Sequence, residues 1–152
     1  MIRETFIAVV VVAGGVSGTA YHSPVRNFDS FGDVDCESEE ARLDNLAVAL
    51  QNDPQSKAAI IFYGGQIFRG KLPRRGEAAA RAARIKPYLV NRRGIPREQI
   101  LVIDGGYMKE WNVEIWIVPS GAEVPEAHPT IRPEEIRFRK GRVNTRTFQC
   151  RV

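Results

Sequence analysis

Apolar and polar positions follow two different periods along this chain. Leu43, Leu46, Ala47 and Leu50 recur at i, i+3, i+4 and i+7, which is one face of an α-helix. Ser38, Glu39 and Glu40 stand ahead of them. A serine there suits the capping of free N–H groups, and the acids suit the positive end of the helix dipole. Asn52-Asp53-Pro54 closes the helix. The run Ala58-Ala59-Ile60-Ile61-Phe62-Tyr63 is short, apolar and rich in β-formers, so it reads as a buried strand that stops at Gly64-Gly65. Gln66 to Gly76 reads as a basic, glycine-containing loop. A second helix is expected over Glu77–Asn91, with Ala78, Ala82, Ile85 and Leu89 on one face and Gly94 just past its end. Pro87 should kink it, because proline has no N–H to give to the preceding turn.

Strand periodicity returns further on. Gln99–Ile103 is a strand, Asp104-Gly105-Gly106 a turn and Trp111–Val118 another strand. In the last, Val113, Ile115 and Ile117 alternate with Glu114 and Trp116, as in a sheet that helices cover on one side. A short first strand fits Asn27–Phe31. Pro119 to Pro133 carries four prolines and reads as a surface-hugging linker. The stretch from Ile136 to Val152 fits either a hairpin turning at Gly141 or a loose basic tail. The order strand, helix, strand, helix, strand, strand defines an α+β, two-layer α/β fold. It is a mixed four-stranded β-α-β-α-β-β sheet with two helices on one face, plus a C-terminal extension.

The N-terminus changes the expected setting. Arg3 is followed by an unbroken apolar run from Phe6 to Ala13, and Gly18-Thr19-Ala20 offers small residues at a cleavage position. Residues 1–20 therefore read as a signal peptide, with an uncleaved anchor or a buried strand as the alternatives and Glu4 as the feature against. The run is short for a membrane span, so none is expected in the mature chain. No cysteine lies at the cut, which gives no support to a lipid anchor. The division is then 1–20 signal, 21–120 domain, 121–152 linker and basic extension.

At 43% apolar and 26% charged residues, the composition is that of a globular domain rather than a disordered chain or a fibre. The net charge of +4 is unevenly placed: Arg69, Lys71, Arg74 and Arg75 cluster, and six basic residues with no acid follow Ile136. Such patches suit nucleic acid, an anionic surface or a soluble solvated face, and export removes nucleic acid from that set. Export also bears on Cys36 and Cys150, which pair in an oxidising compartment or else are two unrelated thiols. His22 and His128 are the two histidines, and neither has a neighbour at metal-ligand or triad spacing. Asp33 with Asp35 and Glu134 with Glu135 read as solvated carboxylates. Trp111, Trp116, Phe62 and Tyr63 fit a sugar-stacking surface or, more simply, core and edge packing. No cofactor, metal site or catalytic constellation is expected, and the chain reads as a binding protein, not an enzyme.

From about Phe28 to Val118 the chain resembles the OmpA-like domain, the peptidoglycan-associating module of bacterial envelopes. The resemblance is carried by Phe28-Asp29 and the helix Ala41–Ala47 ending in Asn52-Asp53-Pro54; by Ile60–Tyr63 entering a glycine turn; by Arg81-Ala82 with Ile85 and Tyr88-Leu89; by Arg93-Gly94-Ile95-Pro96 leading to Ile100; and by Asn112-Val113-Glu114-Ile115. It implies a periplasmic or outer-envelope location, with peptidoglycan or an envelope protein as partner. In that family a loop aspartate meets the ammonium of the diaminopimelate stem and a helix arginine meets its carboxylate. Arg81 falls on the arginine position. The loop Gly64-Gly65-Gln66-Ile67 has no acid, Arg74 stands where the family has asparagine, and Glu77-Ala78 replaces a leucine-serine pair. The candidate ligand residues are thus Arg81, Gly64, Gly65, Arg74 and Glu77. Glu77 serves either as the substitute acid or as an i,i+4 surface partner of Arg81.

Overall fold

A computed structural model describes residues 24–148 and 150. The expected signal segment, 1–20, lies outside these residues. Strand β1 (Arg26–Phe31) is followed by helix α1 (Cys36–Asn52), strand β2 (Lys57–Gly65), helices α2 (Glu77–Ala82) and α3 (Ile85–Pro87), then strands β3 (Ile100–Met108) and β4 (Asn112–Val118). The sheet order is β1-β4-β2-β3. β4 is antiparallel to both neighbours, and β3 is parallel to β2. The α+β order and the mixed four-stranded sheet are as the periodicity predicts.

The core lies between the helices and one sheet face. Leu43, Leu46, Ala47 and Leu50 of α1 are buried against Ile60 and Phe62 of β2 and Val113, Ile115 and Ile117 of β4. Ala82, Ile85 and Leu89 close the same core from the second helical segment. That segment is not one helix. α2 ends at Ala82, α3 spans Ile85–Pro87, and a π-helical turn follows at Tyr88–Arg92. Pro87 offers no N–H to the ladder, and the backbone widens directly after it.

Helix α1 starts before Ser38. Asp35 is its N-cap, and its carboxylate accepts a 2.8 Å hydrogen bond from the Ser38 N–H. That bond holds the Asp35 carboxyl below the usual carboxylate range. A carboxyl lowered by folding stabilises above its unfolded pKa, and that stability is lost as pH falls through its folded pKa. Asp35→Ala should therefore lower the urea midpoint at pH 7 and leave it unchanged near pH 2. An equal loss at both pH values would show that the charge-assisted cap is not the cause.

Two further features depart from the sequence pattern. The stretch Asp104-Gly105-Gly106 does not turn; β3 runs on to Met108 and the register with β2 shifts there. Gly105 is required because a Cβ would lie 2.6 Å from the Tyr63 ring and 2.7 Å from Ile61. The second sheet face is also covered. Ala59, Ile61 and Tyr63, which point away from the helices, have no exposed surface. The proline-rich segment lies over them: the His128 N–H donates to the Tyr63 hydroxyl at 3.2 Å, and the Tyr107 carbonyl accepts from the N–H groups of Thr130 and Ile131 at 3.0 Å.

Beyond Ile131 the chain forms no strand among the described residues. It continues through two short 3-10 turns, Pro133–Glu135 and Thr145–Phe148. Among the described residues it is neither a hairpin nor a loose tail but a strap. Its Arg139 N–H bonds the Pro73 carbonyl at 2.9 Å, and Cys150 is disulfide-bonded to Cys36 at the start of α1. No helix among the described residues is long and apolar enough to cross a membrane.

Candidate functional site

Arg81 sits on the inward face of α2 with its side chain only 6% exposed. Its Nη2 donates to Asp33 Oδ1 at 2.7 Å. Asp33 comes from the β1–α1 loop, not from the loop after β2, where the resemblance would place an acid. The guanidinium lies 3.9 Å from the Phe68 ring centre and 4.2 Å from that of Trp111, so it is held between two aromatic faces. A tight turn at Arg69-Gly70, closed by reciprocal hydrogen bonds between Phe68 and Lys71, delivers Phe68 to that position. Burial pushes the Arg81 pKa down to about 10, against the opposing pull of Asp33. It therefore remains charged at neutral pH. Arg69 also grips Asp33, with Nε to Oδ2 at 2.6 Å, and that bond raises its own pKa.

Gly64 and Gly65 are strand residues in register with Tyr107 and Met108. An added Cβ would lie 2.7 Å from the Tyr107 ring at Gly64 and 2.7 Å from the Trp111 backbone nitrogen at Gly65, so the first glycine makes room for an aromatic ring and the second for a close backbone approach. Glu77 is buried, and its Oε2 accepts from the Arg74 N–H at 2.9 Å. It adds to the field that favours charged Arg81, but Asp33 is the bonded partner. Arg74 is half-buried beside the strap, with Gly141 as its neighbour. The five candidate residues thus share one neighbourhood, with Arg81 facing the space below Gly64-Gly65. That space has a volume of about 60 Å³, and Phe138 of the strap lines it. That is well below the roughly 300 Å³ of a small-ligand pocket.

Sequence reasoning missed Asp33, Phe68 and the strap's Phe138 and Phe148. Asp33 stands on a polar stretch and has no periodic signal that ties it to a helix far along the chain. The aromatic surface is divided: Phe62 and Trp111 stack in the helix-side core, with ring centres 6.1 Å apart. Tyr63 is buried on the other face, and Trp116 is half-buried with its Nε1 donating to Glu114.

A larger cavity of about 350 Å³ lies outside this cluster, between α1 and the second helical segment. Leu43, Ala80, Ala83 and Pro87 line it, and Phe148 and Cys150 contribute from the tail. Arg84 spans to Glu39 at 2.6 Å and also donates to the Phe148 carbonyl. Among the described residues no cluster of His, Cys, Asp or Glu is arranged to hold a metal ion.

No protein-family model matches this chain, and no curated protein matches it.

Proposed function

We propose that the chain is a non-catalytic binding module of the cell envelope, exported to the periplasm or outer envelope and OmpA-like in type. In this reading it has turned the wall-ligand arginine inward and associates with an envelope protein rather than with peptidoglycan. One observation carries the choice: Arg81 is already paired with Asp33 and stacked between Phe68 and Trp111, under a strap that leaves only about 60 Å³ of space. A diaminopimelate carboxylate would have to displace Asp33, Phe138 and the strap at once. A retained acid–arginine pair, although from a different loop, is what favours the other reading, in which the strap lifts and wall binding survives.

Sedimentation with insoluble peptidoglycan separates the two. The oxidised protein and its Arg81→Ala variant should both stay in the supernatant. If wild type pellets with the wall and the variant does not, Arg81 is a ligand residue and the closed-site reading fails.

A further inference from the structure

The basic loop after β2 and the basic strap are far apart in sequence and meet in space. The Arg139 N–H bonds the Pro73 carbonyl, and the Arg75 guanidinium lies 4.5 Å from the Phe138 ring centre. The Arg74 side chain runs against Gly141, where a Cβ would come within 3.4 Å of its Nε. Glu77 is the carboxylate among them. Its Oε2 is taken up by the Arg74 backbone N–H and stands 3.9 Å from Arg139 Nη2, the outer edge of an ion pair. Asp104 borders the same small cavity, but its Oδ1 accepts from the Gly106 N–H and it makes no ion pair among the described residues.

Two donors are left over. The Nε atoms of Arg74 and Arg139 are shut off from solvent and have no hydrogen-bond partner among the described residues. A buried donor without an acceptor is destabilising, and like charges held together add to that cost. Three arginines against the carboxylates of Glu77 and Asp104 leave an excess of one positive charge (3 − 2 = 1). Lys140 and Arg142, both exposed, extend the field outward along the strap.

We propose that Arg74, Arg75 and Arg139 form a receptor for a phosphate-type oxyanion. A phosphomonoester carries close to two negative charges and three acceptor oxygens, which suits a net-positive cluster whose guanidinium ends, beyond the buried Nε atoms, are partly exposed and make no side-chain hydrogen bond among the described residues. A carboxylate suits it less well. The inference does not rest on the loss of wall binding, because the three arginines lie outside the Arg81–Asp33 pair. The phosphate can be a free anion or a lipid headgroup.

The test uses two probes on the disulfide-intact protein. One is inorganic phosphate, titrated by NMR of the arginine side chains. The other is flotation with phosphatidylcholine vesicles carrying roughly a third phosphatidic acid, whose headgroup offers the same forked acceptors. Saturable phosphate binding without flotation assigns a free anion, and flotation assigns a headgroup; either supports the site. In either arm Arg74→Gln/Arg139→Gln should weaken binding at least about tenfold, and Arg92→Gln/Arg97→Gln, two exposed arginines between α3 and β3 that do not line this cavity, with the same loss of charge, by less than about threefold. Should the double variant melt early, Arg139→Gln alone, changed on the surface strap, gives the same comparison. No saturable binding of either probe, or equal weakening by the remote pair, overturns the proposal.

Discussion

Replacing Cys36 and Cys150 with serine is expected to lower the unfolding free energy by about 4–5 kcal/mol. The bond joins residues 114 apart, so its removal returns a very long loop to the unfolded ensemble. Loop-closure entropy grows only slowly with length, but at this length it is near the top of the usual range. For a domain of this size the melting temperature should fall on the order of 15 °C. The effect is local as well as global, because the bond ties the strap's end to the first turn of α1. Without it, the strap's described anchors include the Arg139–Pro73 backbone bond, the edge contact of Phe138 with Tyr107 and the bond from Arg84 to the Phe148 carbonyl. Thermal unfolding of the Cys36→Ser/Cys150→Ser variant beside wild type is the measurement. A loss below about 1 kcal/mol would mean that the unfolded chain is already compact enough for closure to cost little.

The second large effect sets Asp33 against Arg81. Asp33→Asn should destabilise by about 2–3 kcal/mol, because it leaves a buried guanidinium without its countercharge. Arg81→Met should cost less, about 1 kcal/mol. Methionine keeps much of the volume between Phe68 and Trp111, and Asp33 retains Arg69 and is 30% exposed, so it is not stranded. The order is diagnostic. A surface pair would show two small, similar losses, whereas a buried cation with an accessible partner shows the larger loss on the partner's side. Urea unfolding of both variants reads it, and a larger loss for Arg81→Met than for Asp33→Asn contradicts an internal, structural arginine.

Much of the fold is legible because period and burial coincide. The Leu43–Leu50 face and the Val113–Ile117 alternation point to the same core from both sides. Legibility ends where tertiary contacts override local signals. Gly105-Gly106 carries a turn signature, but Ile61 and Tyr63 on the neighbouring strand use that space, and the pair becomes an irregularity inside β3. The run Ala58–Tyr63 reads as a buried strand, but that a proline segment covers the sheet face away from the helices could not be read from any period. Asp35 wins over Ser38 as cap because it stands one residue before the first helical position, whereas the acids downstream of Ser38 only mimic a start.

For the site, Arg81 is legible and its environment is not. Expecting its acid in the loop after β2 directs attention to Glu77, the acid one helical turn away. The bonded partner comes from the β1–α1 loop, and only the folded arrangement of β1, β4 and β2 brings that loop to α2. The covering aromatic residues arrive from a tight turn and from the strap, neither of which has a helical or strand period.

Everything proposed for this site turns on Arg81 being an internal residue. The most direct measurement is the ¹⁵N resonance of its Nε–H, recorded for the oxidised protein with and without a soluble disaccharide-peptide fragment bearing diaminopimelate. A guanidinium buried against Asp33 should give a distinct, slowly exchanging signal that the fragment does not move. A saturable shift of that signal on adding the fragment would contradict it and return Arg81 to the role of a wall ligand.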